Sequence, residues 1–260
     1  MIKVHLVSFP KSGNTWLRFL LANYFSDTEV NFGNINDITA TSKENVKPIN
    51  GVALIKHHVP SSVVDIGRED FIICIVRNPF SALRSYRNFV SKQNPLLFRT
   101  DESFLRGYDR WFGTWGENVD SWVTVPNVLI LKYEDLIEDT VGQMSKILHH
   151  IGSPVIQERV EASIEASSVD RMSKMSGQAA FMKAINNEVR FVREQSANIS
   201  EDLLKKHLSG DNSSVDMLRK LYGVELEYKP RDHIEKINIV YSRMAFPIYR
   251  LVNYLYKRLC

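Results

Sequence analysis

Cysteine is scarce in this sequence, and the two cysteines present exclude a disulfide framework. Cys74 lies in an apolar run and Cys260 is the last residue, so neither belongs to the spaced pattern of a disulfide-stapled scaffold. Such sparse use of cysteine is typical of proteins that work in a reducing compartment. His149 and His150 are adjacent but have no pattern of cysteines or carboxylates around them, so the sequence predicts a protein that works without a metal.

Long apolar runs are also absent, because no uncharged apolar stretch reaches the roughly 18 residues of a membrane-spanning helix. Met1, Ile2 and Lys3 lead directly into an apolar, strand-like run, which is unlike a cleavable signal peptide. The net charge is only +3, whereas nucleic-acid binding usually leaves a strongly basic footprint. We therefore expect a cytoplasmic protein with no nucleic-acid partner.

What the sequence does contain is a series of short apolar runs that alternate with helical stretches. Strands are predicted at 2–8, 52–56, 71–76 and 128–132, and helices at 15–25, 79–92, 101–122, 140–151, 157–167, 200–208 and 213–222. Apolar strands that alternate with helices indicate an α/β fold, here a single domain over 1–230 with a central parallel sheet flanked by helices. Ligands bind beyond the carboxyl ends of such strands, where all four runs are followed by polar residues.

The most informative polar segment follows the first predicted strand. Gly13 frees the backbone to curl, so that N–H groups at the start of the next helix can converge on an oxyanion. The segment supplies the charge, the hydroxyls and the flat ring that a nucleotide needs: Lys11, Ser12, Asn14, Thr15 and Trp16. It is not a Walker A loop, because Lys11 precedes Gly13 and the required earlier glycine is missing. The segment nevertheless predicts a P-loop-like nucleotide-binding core.

The order Pro-Lys-Ser-Gly-x-Thr-Trp at 10–16 resembles the 5′-phosphosulfate loop of cytosolic-type sulfotransferases, which use 3′-phosphoadenosine-5′-phosphosulfate (PAPS). The resemblance implies that Ser12, Gly13, Asn14 and Thr15 bind the 5′-phosphate, with Asn14 in place of a usual threonine. It also leaves adenine stacking mainly to Trp16. Further matches follow in the family's order over roughly three-quarters of the chain, and we expect a bacterial member of this family.

A Lys-His-His-Val-Pro run at 56–60 follows the second predicted strand. A histidine there is placed to take a proton from an acceptor hydroxyl, although a lone histidine is more often a surface or capping residue. The run resembles the Lys-Thr-His-Leu-Pro segment of the same family, with His57 at the threonine position. The resemblance implies that His58 is the general base, that Lys56 contacts the transferring sulfonate and that Lys11 offsets charge on the bridging oxygen.

The third predicted strand is followed by Arg77 and, eight residues later, by Ser85. Pro79 suits the first turn of a helix, and the planar fork of an arginine donates two parallel hydrogen bonds to a terminal phosphate. Arg77 and Ser85 keep the spacing of the family's Arg-Asn-Pro…Ser motif, which implies that they hold the 3′-phosphate of PAPS. A simple ATP pocket would not require this second phosphate site.

Three later segments extend the resemblance. The aromatic stretch 104–122 matches a family segment and is predicted to form an aromatic core helix. Tyr133 matches a tyrosine that contacts the cofactor, and Ser167 matches a Ser-Phe-x-x-Met motif in which Val169 replaces the aromatic residue that meets adenine. Arg193 matches a segment that folds over the 3′-phosphate.

The resemblance implies metal-independent transfer of a sulfonate from PAPS to a hydroxyl of a saccharide, a lipid or another small molecule. Two alternatives stay open. A P-loop small-molecule kinase would need a Walker-type pair and an acidic Mg²⁺ ligand, which the sequence lacks. A binding protein that has lost catalysis is opposed by His58 beside Lys56. It is favoured by Glu194 and Gln195, which replace a lysine and a glycine of the family.

Residues 231–260 form a separate C-terminal tail of basic and apolar character. From Lys236 on, every charged residue is basic, and four of them recur at seven-residue intervals, so they share one stripe of a helix. Three interpretations of the tail stay open. It forms a helix pair packed on the domain, an interfacial helix on anionic lipid at the inner face of the membrane, or a contact between copies of the chain.

Overall fold

The computed structural model describes residues 1–28, 30–31, 35, 39–40, 47–93, 98–176 and 199–230. The strands are β1 (Ile2–Val7), β2 (Thr39–Ala40), β3 (Val52–His57), β4 (Phe71–Val76) and β5 (Val128–Lys132). They form one parallel sheet in the order β2-β3-β1-β4-β5. The four predicted strands and the parallel sheet are confirmed, and β2 is a two-residue addition at the sheet edge that the sequence does not predict.

Both faces of the sheet are buried, which explains why its strands are almost continuously apolar. On one face, Val4 and Leu6 of β1 join Leu54 of β3 and Ile73 and Ile75 of β4 in a common core. Because side chains alternate along a strand, the intervening residues point to the opposite face. Because these strands are parallel, the carboxyl ends of β1, β3, β4 and β5 lie at one edge of the sheet, where the predicted polar segments begin.

The helices are α1 (Asn14–Phe25), α2 (Pro79–Gln93), α3 (Asp101–Leu105), α4 (Trp115–Val123), α5 (Tyr133–Glu138), α6 (Thr140–His150), α7 (Gln157–Ala166), α8 (Val169–Ser176), α9 (Glu201–Ser209) and α10 (Asn212–Tyr222). The chain divides into two compact units, and the sheet lies in the one formed by 1–77 and 121–194. In that unit α1 packs against both β3 and α7. The prediction of an α/β fold with helices around a parallel sheet is therefore confirmed.

The prediction of one helix over 101–122 is wrong. The chain there forms α3, a 3-10 turn at Tyr108–Arg110 and α4. Thr100 caps α3 by accepting a hydrogen bond from the Ser103 N–H, and Gly113 has a φ of 72°, which no α-helix accommodates. The apolar period continues across these breaks because the pieces bury their side chains in one core.

The second compact unit, formed by 78–120 and 195–260, contains this aromatic core. The Phe104 ring stacks on the Tyr108 ring with 5.5 Å between centroids, and Tyr86 meets Phe104 edge-on at 5.7 Å. Trp115 is fully buried in the same unit. Most aromatic residues of this stretch are therefore buried as predicted, although not on a single helix, whereas Trp111 is 45 % exposed.

Candidate active site

The backbone turns sharply in the loop 8–13, between β1 and α1. Gly13 has a φ of 98° and Lys11 a φ of 65°, both in the left-handed region that L side chains rarely adopt. A side chain at Gly13 would also collide with Tyr133, since an added Cβ would lie 2.4 Å from the Tyr133 Cδ2 atom. Helix α1 starts directly after this turn, and its first turn carries no acidic residue to neutralise the positive end of the helix.

Ser12 lies in the middle of this loop with a fully buried hydroxyl. Its Oγ atom has no hydrogen-bond partner among the described residues. A buried hydroxyl without a partner costs about 1–3 kcal/mol, and folded proteins rarely keep one without a functional reason. The Ser12 hydroxyl therefore fits an oxygen atom of a bound anion, as the sequence predicts for a phosphate.

Asn14 occupies the first position of α1 and turns its side chain inward. Its Nδ2 donates to the carbonyl of Leu6 at 3.0 Å and to the Oγ of Ser8 at 3.3 Å. The Asn14 side chain thus braces the loop, and its predicted part in phosphate binding would fall to its backbone N–H. Thr15, the next residue of α1, is half-buried.

Trp16 and Ser167 are joined directly, because the Trp16 Nε1–H donates to the Ser167 carbonyl at 3.1 Å. The Ser167 side chain is buried and accepts a hydrogen bond from Asn23 Nδ2 at 3.1 Å. These bonds orient the indole ring, which also lies edge-on to Tyr133. Val169 is 55 % exposed at the start of α8.

Two lysines of the compact unit that contains the sheet have lowered pKa values: Lys11 in the loop 8–13 and Lys56 on β3. Burial, with the charge of Arg77 nearby, lowers the pKa of Lys11 to about 8. Burial, with the charge of Arg18 nearby, lowers the pKa of Lys56 to about 8. An anion bound beside either lysine would raise its pKa again and so favour the charged ammonium form.

His58 follows β3 directly and is held by Ser8 at the end of β1. The His58 Nδ1 atom lies 2.9 Å from the Ser8 carbonyl oxygen. The same nitrogen lies 3.2 Å from the Ser8 hydroxyl oxygen. Because the carbonyl, at the shorter distance, only accepts, Nδ1 carries the proton, and in the neutral ring the lone pair is on Nε2. Burial, reinforced by Lys56, lowers the pKa of His58 to about 4, so the imidazole is neutral at pH 7. This protonation state is the one that a general base requires.

Arg77 follows β4 and is fixed by two contacts. Its Nη1 donates to the Lys11 carbonyl at 3.0 Å, and its guanidinium carbon lies 4.5 Å from the centroid of the Tyr133 ring. Ser85 lies in the second turn of α2, in the other compact unit. Arg193 lies outside the described residues, so its part in the site stays a prediction, as does that of Ser85.

Two features of the site escape the sequence analysis. His5 of β1 bonds to Asp70 through Nε2 and to His57 through Nδ1, at 3.0 Å each. Arg18 of α1 is buried and donates to the Ile35 carbonyl at 3.4 Å. The signal for both is a charged or polar residue inside an apolar run, which indicates a buried partner without revealing which one.

A family model described as "Sulfotransferase domain" matches residues 2–214, a range that contains the loop 8–13, His58 and Arg77. The chain belongs to the sulfotransferase domain family. The matched range begins at the first strand and ends in α10, so the sulfotransferase match covers both compact units in part. The resemblance seen in the motif at 10–16 is confirmed at the level of the family, and the bacterial origin stays a prediction.

Relatives named as sulfotransferases are about a quarter identical to this chain over the region that matches. Sulfotransferase 1E1 of Cavia porcellus is 26% identical over 191 residues, which cover 64% of this chain and 64% of the relative. The 3-alpha-hydroxysteroid sulfotransferase of Cavia porcellus is 29% identical over 189 residues, with 65% of each chain covered. The match thus spans just under two thirds of these relatives' own length.

Solved structures share the fold. The mouse sulfotransferase SULT7A1, complexed with PAP, has a TM-score of 0.59 at 22% identity and covers 85% of this chain and 89% of its own. Retinol dehydratase in complex with androsterone and the inactive cofactor PAP has a TM-score of 0.57 at 15% identity, covering 86% and 82%. At these identities the likeness concerns the fold, and it agrees with the parallel sheet described above.

The described residues contain neither a membrane-spanning helix nor a group of metal ligands. No helix among them is both long and apolar enough to cross a membrane. Within the same residues, no three histidine, cysteine or acidic side chains are grouped so that they could hold a metal ion. Metal independence itself stays a prediction.

Proposed function

We propose that the protein transfers a sulfonate group from PAPS to a hydroxyl of an acceptor, with His58 as the general base. The observation that carries the proposal is the orientation of His58, whose Nδ1–H is donated to the Ser8 carbonyl, so that the lone pair of the neutral ring is on Nε2. Membership of the chain in the sulfotransferase family supports the reaction class.

PAPS supplies the sulfonate when it is bound, and the loop 8–13 with the start of α1 fits its 5′-phosphate. The fit rests on the buried Ser12 hydroxyl, which has no partner among the described residues, and on the first N–H groups of α1. The groups proposed to hold the 5′-phosphate and the adenine are Lys11, Ser12, Gly13, Asn14, Thr15, Trp16, Tyr133 and Ser167. Complexes of two structural neighbours with PAP support the same nucleotide here.

His58 takes the proton of the acceptor hydroxyl at Nε2 as the hydroxyl oxygen bonds to sulfur and the sulfur–phosphate oxygen bond breaks. Lys11 stabilises the negative charge that develops on the departing phosphate oxygen. Lys56, which lies on β3 directly before His57, stabilises the charge on the sulfonate oxygens. The lowered pKa values of both lysines support these roles, because each lysine would become fully charged when it binds an anion in its buried position.

Arg77, Ser85 and Arg193 are proposed to bind the 3′-phosphate. Arg77 supports this part best, because the Lys11 carbonyl and the Tyr133 ring hold its guanidinium in one orientation. A simple ATP pocket would not require this second phosphate site. Isothermal titration with PAP and with ATP, both without a metal, separates the two functions: a sulfotransferase binds PAP, and a kinase binds neither tightly.

Replacement of His58 tests the proposal directly. We expect His58→Ala to lower transfer by about 100-fold or more, because general-base catalysis contributes about that much, while the Kd for PAP changes by less than about twofold. Turnover is followed by mass spectrometry as the gain of one sulfonate across a mixed panel of phenol, sterol, saccharide and lipid acceptors. His149→Ala, an exposed histidine of α6, is the matched control. Normal turnover of His58→Ala contradicts the assignment of the base.

The acceptor class and the cellular place of the reaction belong to the same proposal. A saccharide, a lipid and another small molecule are all hydroxyl acceptors for a base placed as His58 is. We propose a cytoplasmic reaction, with the tail 231–260 as the segment that decides whether it takes place at a membrane surface. A protein that binds PAP but transfers no sulfonate to any acceptor would be the inactive relative that Glu194 and Gln195 favour.

A further inference from the structure

Three side chains form a continuous hydrogen-bonded chain beside the base. The Asp70 Oδ2 atom lies 3.0 Å from His5 Nε2, and His5 Nδ1 lies 3.0 Å from His57 Nε2. The Gly67 N–H donates to the same Asp70 oxygen at 2.8 Å. His5 is 0 % exposed and the Asp70 side chain 8 %. We refer to these residues as the Asp70–His5–His57 chain.

The position of His5 makes this chain costly. It sits inside β1, in a parallel sheet whose neighbouring positions are apolar and buried, such as Val4, Leu6 and Ile72. A buried imidazole and a buried carboxylate lose their hydration and recover it only through partners with good geometry. An aliphatic residue at position 5 would fill the same place without that requirement. The cost of burying these groups is therefore best explained by the residue at the end of the chain opposite to Asp70.

The far end is His57, the residue directly before the base. Val7 of β1 pairs with His57, and His5 pairs with Ile55, so both histidines project from the same face of the sheet. Their ring planes lie within 15° of each other with 5.2 Å between centroids, as expected for two imidazoles joined edge to edge by the hydrogen bond. His58 turns the other way, to Ser8. The chain thus fixes the carboxyl end of β3 from the face opposite to the base.

A third contact completes the arrangement on the other side of His58. The Trp122 Nε1–H donates to the Val59 carbonyl at 3.0 Å, and the Trp122 ring lies 6.4 Å from the His57 ring. The residue before the base is therefore held by its side chain, and the residue after it by its backbone. A catalytic group held on both sides keeps its geometry, and a misplacement of about 1 Å at such a group costs up to about 100-fold in rate.

The hydrogen bonds of the chain also fix its protons. The Asp70 carboxylate only accepts, so His5 Nε2 carries a proton and donates it. When both imidazoles are neutral, His5 Nδ1 then accepts, and His57 must donate from Nε2. Two consecutive residues consequently hold opposite tautomers, with the proton on Nε2 in His57 and on Nδ1 in His58.

The ionisable groups around His58 give the chain a second influence on the base. Lys56, Arg18 and His57 are close enough to His58 for a positive charge on any of them to lower its pKa. Among these, His57 is the one whose proton the chain controls, because the Asp70 carboxylate orients His5 and thereby the donor nitrogen of His57.

We propose that the Asp70–His5–His57 chain is a positioning device for His58: it anchors the end of β3 and fixes the tautomer of His57, and through both it holds the base in its Nδ1–H form. The rate effect rests on the proposed function, whereas the tautomer of His58 does not. His5, His57 and Asp70 are positioning residues, because they act through His58 in this proposal.

Four variants test the proposal. His57→Leu removes the end of the chain, and Asp70→Ala removes its acceptor without changing a residue next to His58. His57→Gln restores a donor near the position of the imidazole Nε2. Cys74→Ala, on the same face of the sheet in β4, is the control for a simple loss of packing, because Val7 pairs with both His57 and Cys74.

Two readouts are needed. The first is the tautomer of each histidine at pH 7 in the nucleotide-free protein, from long-range nitrogen–proton correlation NMR. The second is kcat and KM for sulfonate transfer. We expect mixed tautomers at His58 and a kcat about tenfold lower in His57→Leu and Asp70→Ala, with KM for the donor within about twofold. His57→Gln should restore both, and Cys74→Ala should leave both unchanged.

Retention of the Nδ1–H tautomer and of kcat in His57→Leu overturns the proposal, and so does a loss of kcat in Cys74→Ala equal to that in His57→Leu. If the unaltered protein transfers no sulfonate, the proposed function fails on its own. The tautomer of His58 in the four variants then still decides whether the chain positions it.

Discussion

Ser12 is the residue at which stability and binding are expected to oppose each other. Its buried hydroxyl has no partner among the described residues, so Ser12→Ala removes a desolvated group at no loss of an internal bond. We expect the free energy of unfolding to stay the same or rise by about 1 kcal/mol, while PAP binds about tenfold more weakly. Guanidinium unfolding and titration calorimetry measure the two effects.

Ser163→Ala is the matched control for that variant. Ser163 is equally buried, but its hydroxyl donates to the Val160 carbonyl at 2.8 Å. Its replacement should lower stability and leave PAP affinity unchanged. If Ser12→Ala lowers stability to the same degree and binds PAP normally, the hydroxyl serves the fold and not a ligand.

Lys11 and Lys56 make nucleotide binding pH-dependent. With pKa values of about 8 in the free protein, each is about half charged at pH 8, and a bound phosphate raises both pKa values. PAP binding should therefore take up protons near pH 8, up to about one in total, whereas at pH 6 the lysines are already charged and contribute almost none. Affinity should fall as the pH rises above 8.

Calorimetry in buffers of different ionisation enthalpy measures this uptake. Lys11→Met should remove about half of it, whereas Lys146→Met, an exposed lysine of α6, should leave it unchanged. Proton release on binding, or an uptake independent of Lys11, contradicts the assignment of the buried lysines to the phosphate site.

At the scale of elements, helix caps carry different amounts of stability depending on what else they hold. Asp139 caps α6 with one exposed bond, from the Gly142 N–H at 2.9 Å. Asp211 caps α10 and also accepts a hydrogen bond from the Thr114 hydroxyl at 2.7 Å, at the entry to α4. We expect Asp139→Ala to cost about 1 kcal/mol and Asp211→Ala about 2–3 kcal/mol in urea unfolding. Equal costs would mean that the bond to Thr114 contributes nothing.

At the scale of the whole molecule, the open question concerns the tail 231–260, which lies outside the described residues. Its basic stripe, which begins at Lys236, would meet anionic lipid if the tail lay on a membrane surface. The membrane interpretation predicts that the full chain sediments with anionic liposomes and that a chain ending at Ile234 does not. Neutral liposomes are the control, because electrostatic attraction is then lost.

Equal partitioning of the two chains contradicts the membrane interpretation. Light scattering on the same samples distinguishes the remaining two. Fewer copies per particle in the shorter chain indicate a contact between copies, and the same number of copies with lower stability indicates a tail packed on its own domain.

The strands and the loop after β1 are predictable because their signals are local. Four apolar runs of strand length determine β1, β3, β4 and β5, and the motif at 10–16 determines where the backbone must turn. The prediction of one helix over 101–122 is wrong because the spacing of apolar residues reports burial. That spacing continues across the breaks at Gly107 and Gly113.

What the sequence by itself determined was the fold class, the family and the residue types at the ends of the strands. What only the tertiary structure decided was which groups those residues meet. Asn14 matches a phosphate-binding position but turns its side chain to Leu6 and Ser8. Asp70 and His5 are 65 residues apart, and their bond exists only because β1 and β4 are neighbours in the sheet. Hydrogen bonds between distant residues depend on strand order and register, which leave no local pattern in the sequence.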